Sequence, residues 1–192
     1  MKVPLIVLAT LVLSVQGGLA QGTLVFDQQS SNESFVREGA IPFGGPAHAI
    51  QSFTPSLDSV GFVRLYFIGF DNAYGVSVNL LAGSPSGSLI GSTIPIDVPG
   101  PFTGPLTFYF STPVTVTPGV TYYLDPVIAH FASGNTFELN ASPEYRYPGG
   151  TLVGSADYDL WFREGIVVPE PSAATLLLLA LGLRFRNTIL KT

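Results

Sequence analysis

The 192-residue chain contains no cysteine. That absence excludes disulfide staples, thiolate metal sites, cysteine nucleophiles and thiol redox switches together. Positive charge is nearly as scarce. Between Gln21 and Pro169 there is no lysine, and Arg37, Arg64, Arg146 and Arg163 stand against twelve Asp and Glu, a net of −8. The whole chain reaches only −5 because Lys2, Arg184, Arg186 and Lys191 lie in its two ends. So acidic a surface repels phosphate backbones and anionic headgroups, which argues against nucleic acid as a partner. It suits neutral glycans, cations or basic partners, and solubility alone also accounts for it. The two histidines, His48 and His130, stand in Pro-Ala-His-Ala and Ile-Ala-His-Phe contexts without a Gly-x-Ser-x-Gly turn, so no serine nucleophile and its base are legible.

Long apolar runs are confined to the ends. Lys2, the run Val3 to Val15 and the small residues Gly18-Leu19-Ala20 form the pattern of a secretory signal over residues 1–20, with cleavage expected between Ala20 and Gln21. At the other end, residues 168–192 begin Val168-Pro169-Glu170-Pro171-Ser172. An apolar stretch from Ala173 to Leu183 follows, and then Arg184, Arg186 and Lys191. The prolines deny helix to what precedes them, while Pro171 and Ser172 are good helix-start residues. The closing cations would stay on the cytoplasmic side. The stretch is shorter than the roughly 20 apolar residues of a full span, and snorkelling arginines lengthen it only in part.

This order of Pro169-Glu170-Pro171, hydrophobic helix and basic end closely resembles the PEP-CTERM sorting signal of exopolysaccharide-producing Gram-negative bacteria. The resemblance implies that an exosortase-like membrane protease recognises Pro169, Glu170, Pro171, Arg184 and Arg186 and removes the helix, after signal peptidase has acted at the other end. It implies only a transient stay in the membrane and a final place at the outer surface or in the extracellular matrix.

Residues 21–167 show hardly any helical periodicity. Short runs rich in Val, Ile, Thr, Phe and Tyr alternate with Gly, Pro, Asn, Asp and Ser, the pattern of an antiparallel β-sandwich. About 150 residues suffice for one domain that buries two thirds of its unfolded surface without disulfides. Nine strands are expected: Thr23 to Gln28, Ala49 to Phe53, Val60 to Phe70, Val76 to Ala82, Ser88 to Ile96, Leu106 to Phe110, Thr121 to Val127, Thr136 to Ala141 and Asp159 to Glu164. Val63, Leu65 and Phe67 alternate with Arg64, Tyr66 and Ile68, and Val76, Val78 and Leu80 with Ser77 and Asn79. The stretch Ser30 to Pro46 is the longest irregular one, expected to be functional or mobile. The segments Gln51-Ser52-Phe53-Thr54-Pro55, Val60 to Phe67, Phe108 to Gly119 and Asp157 to Arg163 make the domain similar to exported jelly-roll, carbohydrate-binding-like sandwiches. That resemblance implies an all-β jelly-roll fold.

Three chemistries are open to this domain. Tyr145, Tyr147, Tyr158 and Trp161, near Arg146, Asp157 and Asp159, form a candidate glycan surface, since sugar rings stack on aromatic faces. Asp157 and Asp159, spaced to share one face of a strand, or the Asp71-Asn72 turn, could each supply two oxygens to calcium, and a plain turn or a charged edge strand accounts for them equally; no other cofactor is expected. Glycosidic chemistry would need two carboxylates roughly 5 to 10 Å apart, drawn from Asp157, Asp159, Glu164, Glu138 and Glu144. The Asn32-Glu33-Ser34 and Asn140-Ala141-Ser142 triplets match a glycosylation pattern by chance. The expectation is an exported, non-catalytic matrix protein associated with extracellular polysaccharide, with a carbohydrate-binding module as the alternative and a polysaccharide hydrolase behind both. The mass of the exported protein checks the sorting route: residues 1–20 and the segment after Pro171 should both be gone, and a mature form that retains Ser172 to Thr192 overturns it.

Overall fold

A computed structural model describes residues 22–43, 48–68, 73–98, 100–131 and 137–170. Ala20, Gln21, Asp71, Asn72, Pro171, Arg184 and Arg186 lie outside them, as do both expected terminal helices. The described part is all β, with no helix and hence none long and apolar enough to cross a membrane.

The strands are β1 (Thr23–Gln29), β2 (Ala40–Phe43), β3 (Gln51–Phe53), β4 (Ser59–Ile68), β5 (Ala73–Ala82) and β6 (Ser88–Ser92). They continue as β7 (Ile96–Val98), β8 (Gly104–Thr115), β9 (Tyr122–Phe131), β10 (Phe137–Ser142), β11 (Asp159–Leu160) and β12 (Phe162–Val168). They form two antiparallel sheets. The larger runs β1-β12-β4-β10-β11, with β8 on the free side of β4 and β2 on β10; the smaller runs β3-β9-β5-β6, with β7 also on β5.

Alternation decides which faces meet. Val63, Leu65 and Phe67 of the larger sheet and Val76, Val78 and Leu80 of the smaller are almost fully buried in one core, while Arg64, Tyr66, Ser77 and Asn79 face away and stay half-exposed. Phe43, Phe67, Phe108 and Phe137 fill the core with edge-on and tilted rings. The architecture is a β-sandwich, as the alternation predicts.

β8 and β9 run several residues beyond their expected ends, and three departures change the path of the chain. Ser88 to Ile96 is not continuous, because the chain leaves the sheet at Thr93, whose hydroxyl accepts a bond from Val78 N at 2.9 Å and whose backbone bridges Phe110 in the other sheet. Asp159 to Glu164 is interrupted at Trp161, where pairing passes from β10 to β4: Trp161 N donates to Asn140 O (2.8 Å) and Tyr66 N to Trp161 O (3.4 Å). The irregular stretch from Ser30 holds β2, an edge strand that tolerates Pro42 because its outer side needs no ladder bond.

That stretch is also pinned down. Leu160 and Phe162 enter the core, so Trp161 points to the opposite face, where it is nonetheless fully buried. Residues 30–37 cover it. Ser30 bonds the backbone of Leu160 (2.5 Å) and Phe162 (2.9 Å), Asn32 O accepts the indole N–H (3.1 Å), and Glu33 binds Arg64 and Arg163.

The sheets are tied by a buried side chain. Gln51 of β3 donates to Asp159 Oδ1 at 2.8 Å and accepts from Leu160 N at 2.8 Å, both in β11. Gln51→Leu keeps the volume but strands a buried carboxylate oxygen and a buried N–H, each costing about 1–3 kcal/mol. Urea unfolding should show a loss of about 2–4 kcal/mol with an unchanged m-value; a loss under ~1 kcal/mol would show that the tie carries little.

Candidate functional site

After β10 the chain needs sixteen residues, 143–158, to turn back into β11, and these build a cleft. Every part of the arch is fastened. The Tyr145 hydroxyl accepts from Arg37 N at 2.9 Å and donates to Asn140 Oδ1. Tyr147 donates its N–H to Asp159 Oδ2 (2.8 Å) and its hydroxyl to Gln28 Oε1 (3.0 Å), with its ring edge-on to Phe162 at 5.0 Å. Gly150 approaches β3 so closely that a Cβ would overlap Ser52 O, so only glycine lets Thr151 exchange bonds with Ser52 at 2.8 and 2.9 Å. Farther on, the Thr151 hydroxyl reaches Ala156 O (3.2 Å) and Leu152 N reaches Tyr158 O (3.0 Å).

The arch encloses about 580 Å³, lined among others by Arg146, Tyr147, Thr151, Ala156, Asp157 and Asp159. A volume of this size suits a small ligand or part of a larger one. Arg146 adopts φ +42°, the one non-glycine residue with positive φ among those described. An L side chain there costs about 1 kcal/mol, and the buried tyrosines on either side hold the twist in place.

The aromatic surface expected from the sequence is not presented. Tyr145, Tyr147 and Trp161 are 5 %, 6 % and 0 % exposed, so their rings have no free face for a sugar, and of the four only Tyr158, at 40 %, is open. Burial follows from the cover of residues 30–37 at Trp161 and from the anchoring role of the other two hydroxyls. Asp157 and Asp159 do not share a strand face: Asp157 sits exposed in the turn before β11, and Asp159 is buried. Asp159 already accepts two bonds, and no group of three acidic or histidine side chains gathers among the described residues. Glu144 pairs with Arg37 at 2.7 Å, and Glu138 lies half-buried on β10. The Asn140 amide is buried and donates to Arg37 O (2.7 Å) and Gly39 O (2.9 Å), which agrees with a chance sequon.

Sequence reasoning missed Gln51 and Thr151 as site-forming residues. Their partners lie about a hundred positions away or within a turn, and no local pattern marks them.

Beside the half-buried Asp27 lies a fully buried carboxyl, Glu164. Burial pushes Glu164 up to about 9, with the neighbouring charge of Asp27 adding to it, and neither Glu164 oxygen has a hydrogen-bond partner among the described residues. Burial acts on Asp27 as well, but is outweighed by bonds from Ser56 (hydroxyl and N–H), Leu57 N–H and Gln28, which hold its carboxyl below the usual range. Burial raises Asp159 too, against the bonds from Tyr147 and Gln51, and it raises the Tyr147 hydroxyl to about 12, helped by the charges of Glu164, Asp27 and Asp159. Glu164 is therefore a neutral acid at pH 7, sealed from solvent.

A second cleft lies between His48, Ile50, Pro85, Ser86 and Asp125. His48 Nδ1 meets Asp125 Oδ1 at 3.2 Å, but no hydrogen bond joins Ser86 to the ring, so the relay a serine nucleophile requires is not formed.

Glu164 sets a pH dependence. An acid whose folded pKa lies above its unfolded value near 4.5 contributes its full stability below pH 4.5, and that contribution fades as pH rises toward 9. Between pH 4.5 and 7 the loss is about 3 kcal/mol. Asp27 and Glu33, both held low, are already ionised across this window and do not mask it. Glu164→Gln should flatten the fall in melting temperature from pH 5 to 9 and exceed the parent at pH 8; parallel curves for the two proteins would refute this. No family model, curated protein or solved structure matches the chain, so nothing outside it assigns the cleft a ligand.

Proposed function

We propose that this chain is an exported, non-catalytic protein of an extracellular polysaccharide matrix, built as a jelly-roll-type sandwich, that touches the polysaccharide through the cleft of residues 143–159. The cleft carries this reading: it is a fastened, polar concavity with one open cation, Arg146, and one open carboxylate, Asp157. Hydrogen bonds to sugar hydroxyls, not ring stacking, would hold the ligand.

Non-catalytic action is supported by the state of the other carboxylates. Asp159 is engaged by Gln51 and Tyr147, Glu164 is sealed in the core, and Asp157 is left without a second carboxylate to divide acid and base roles with it. The sorting route is supported by where the domain stops. β12 ends at Val168, and Pro169 and Glu170 follow it exposed, so cleavage beyond them would leave every strand of the sandwich in place.

Ala156 lines the cleft from an exposed turn and contributes only backbone bonds, so Ala156→Trp fills the space without removing a fastening. The parent protein should co-sediment with the extracellular polysaccharide of the cells that export it, and the variant, with an unchanged melting temperature, should be retained at least about tenfold less. Equal retention would remove the cleft from the contact.

A further inference from the structure

We infer that the cleft selects carboxylated sugars, recognising a uronate through Arg146, with Asp157 accepting the ring hydroxyls; this rests on the glycan reading of the cleft proposed above.

The arginines of the domain set Arg146 apart. Arg37 is paired with Glu144 at 2.7 Å and lies over the Phe35 ring. Arg64 and Arg163 share Glu33, and Arg163 also covers Phe26. Arg146 alone has no ion pair, hydrogen bond or ring contact among the described residues. It stays unpaired although the domain carries twelve acidic side chains against four arginines. Asp157 lines the same cleft, yet the two do not approach within ion-pair distance. The space between an open cation and an open carboxylate is one that a ligand bearing both an anion and hydroxyl donors would fill.

The backbone points the same way. Glycine or asparagine is the usual occupant of φ +42°, and an arginine there is strained without any contact that repays it inside the protein. The strain is fixed by Tyr145 and Tyr147, whose hydroxyls are bonded to Asn140 and Gln28. A guanidinium presents paired N–H donors that match a planar carboxylate in bidentate fashion, a match that a hydroxyl or an ester lacks.

The test uses four-residue galacturonate and glucuronate oligomers, each as free acid and as methyl ester, titrated calorimetrically into the full-length protein. At least one free acid should bind ten times more tightly than its ester, and raising the salt from 50 to 500 mM should weaken the acid alone. Arg146→Gly keeps the left-handed backbone without strain, so it should fold as the parent does and lose the acid-over-ester preference. Asp157→Asn should weaken acid and ester alike. If esters and acids bind equally, or Arg146→Gly keeps the preference, the uronate inference is wrong while glycan binding at the cleft stands. If neither acids nor esters bind, the uronate inference is wrong; if Ala156→Trp also leaves polysaccharide retention unchanged, the cleft reading falls with it.

Discussion

The hydrogen bonds between Gln51 and the pair Asp159-Leu160 are the constraint on which the rest of the described structure depends. Two sheets packed only through aliphatic and phenylalanine side chains can slide, because dispersion and hydrophobic contact are non-directional. A fully buried amide that must satisfy both of its ends cannot. Gln51 fixes β3 against β11, and by holding Asp159 it fixes the oxygen that receives Tyr147 N–H. The arch of the cleft is thus an extension of the tie between the sheets.

The interruption at Trp161 serves the same geometry. One residue out of register carries the chain from β10 to β4, and it delivers the largest side chain of the domain to the outer face. An indole there would be an exposed apolar patch. Residues 30–37 cover it and bring Glu33 across to neutralise Arg64 and Arg163, so this irregular segment becomes a cover over a second small core. Arg37 and Tyr145 then lock that lid to the start of the arch, so the outer cover and the cleft share fastenings.

Charge is distributed accordingly. Carboxylates that must be ionised, Asp27 and Glu33, are surrounded by donors or cations, whereas Glu164 is held neutral beside Asp27. Three arginines are consumed by internal pairs, leaving the cleft with Arg146 as its cation. An acidic domain with a single uncommitted guanidinium in a concavity has a defined polarity at that point.

By itself the sequence determined the fold class and the face assignments in the long strands. Period-two alternation in Val63 to Ile68 and in Val76 to Leu80 is a local property, and burying one face leaves no other register. Turn chemistry placed most strand ends within a few residues. The absence of cysteine and lysine was equally decisive about what the domain lacks. Only the tertiary structure decided which aromatic and acidic residues were available to a ligand. Tyr145, Tyr147 and Trp161 look alike in sequence to exposed stacking rings; their burial follows from hydroxyl and indole partners 5 to 129 positions away. Asp159 and Asp157 differ by two positions and by whether Gln51, over a hundred residues earlier, reaches one of them. Burial and commitment of a polar group are set by long-range packing, which no local pattern encodes, and so the strands and the segment that forms the cleft were legible in the sequence, while the side chains left open in it were not.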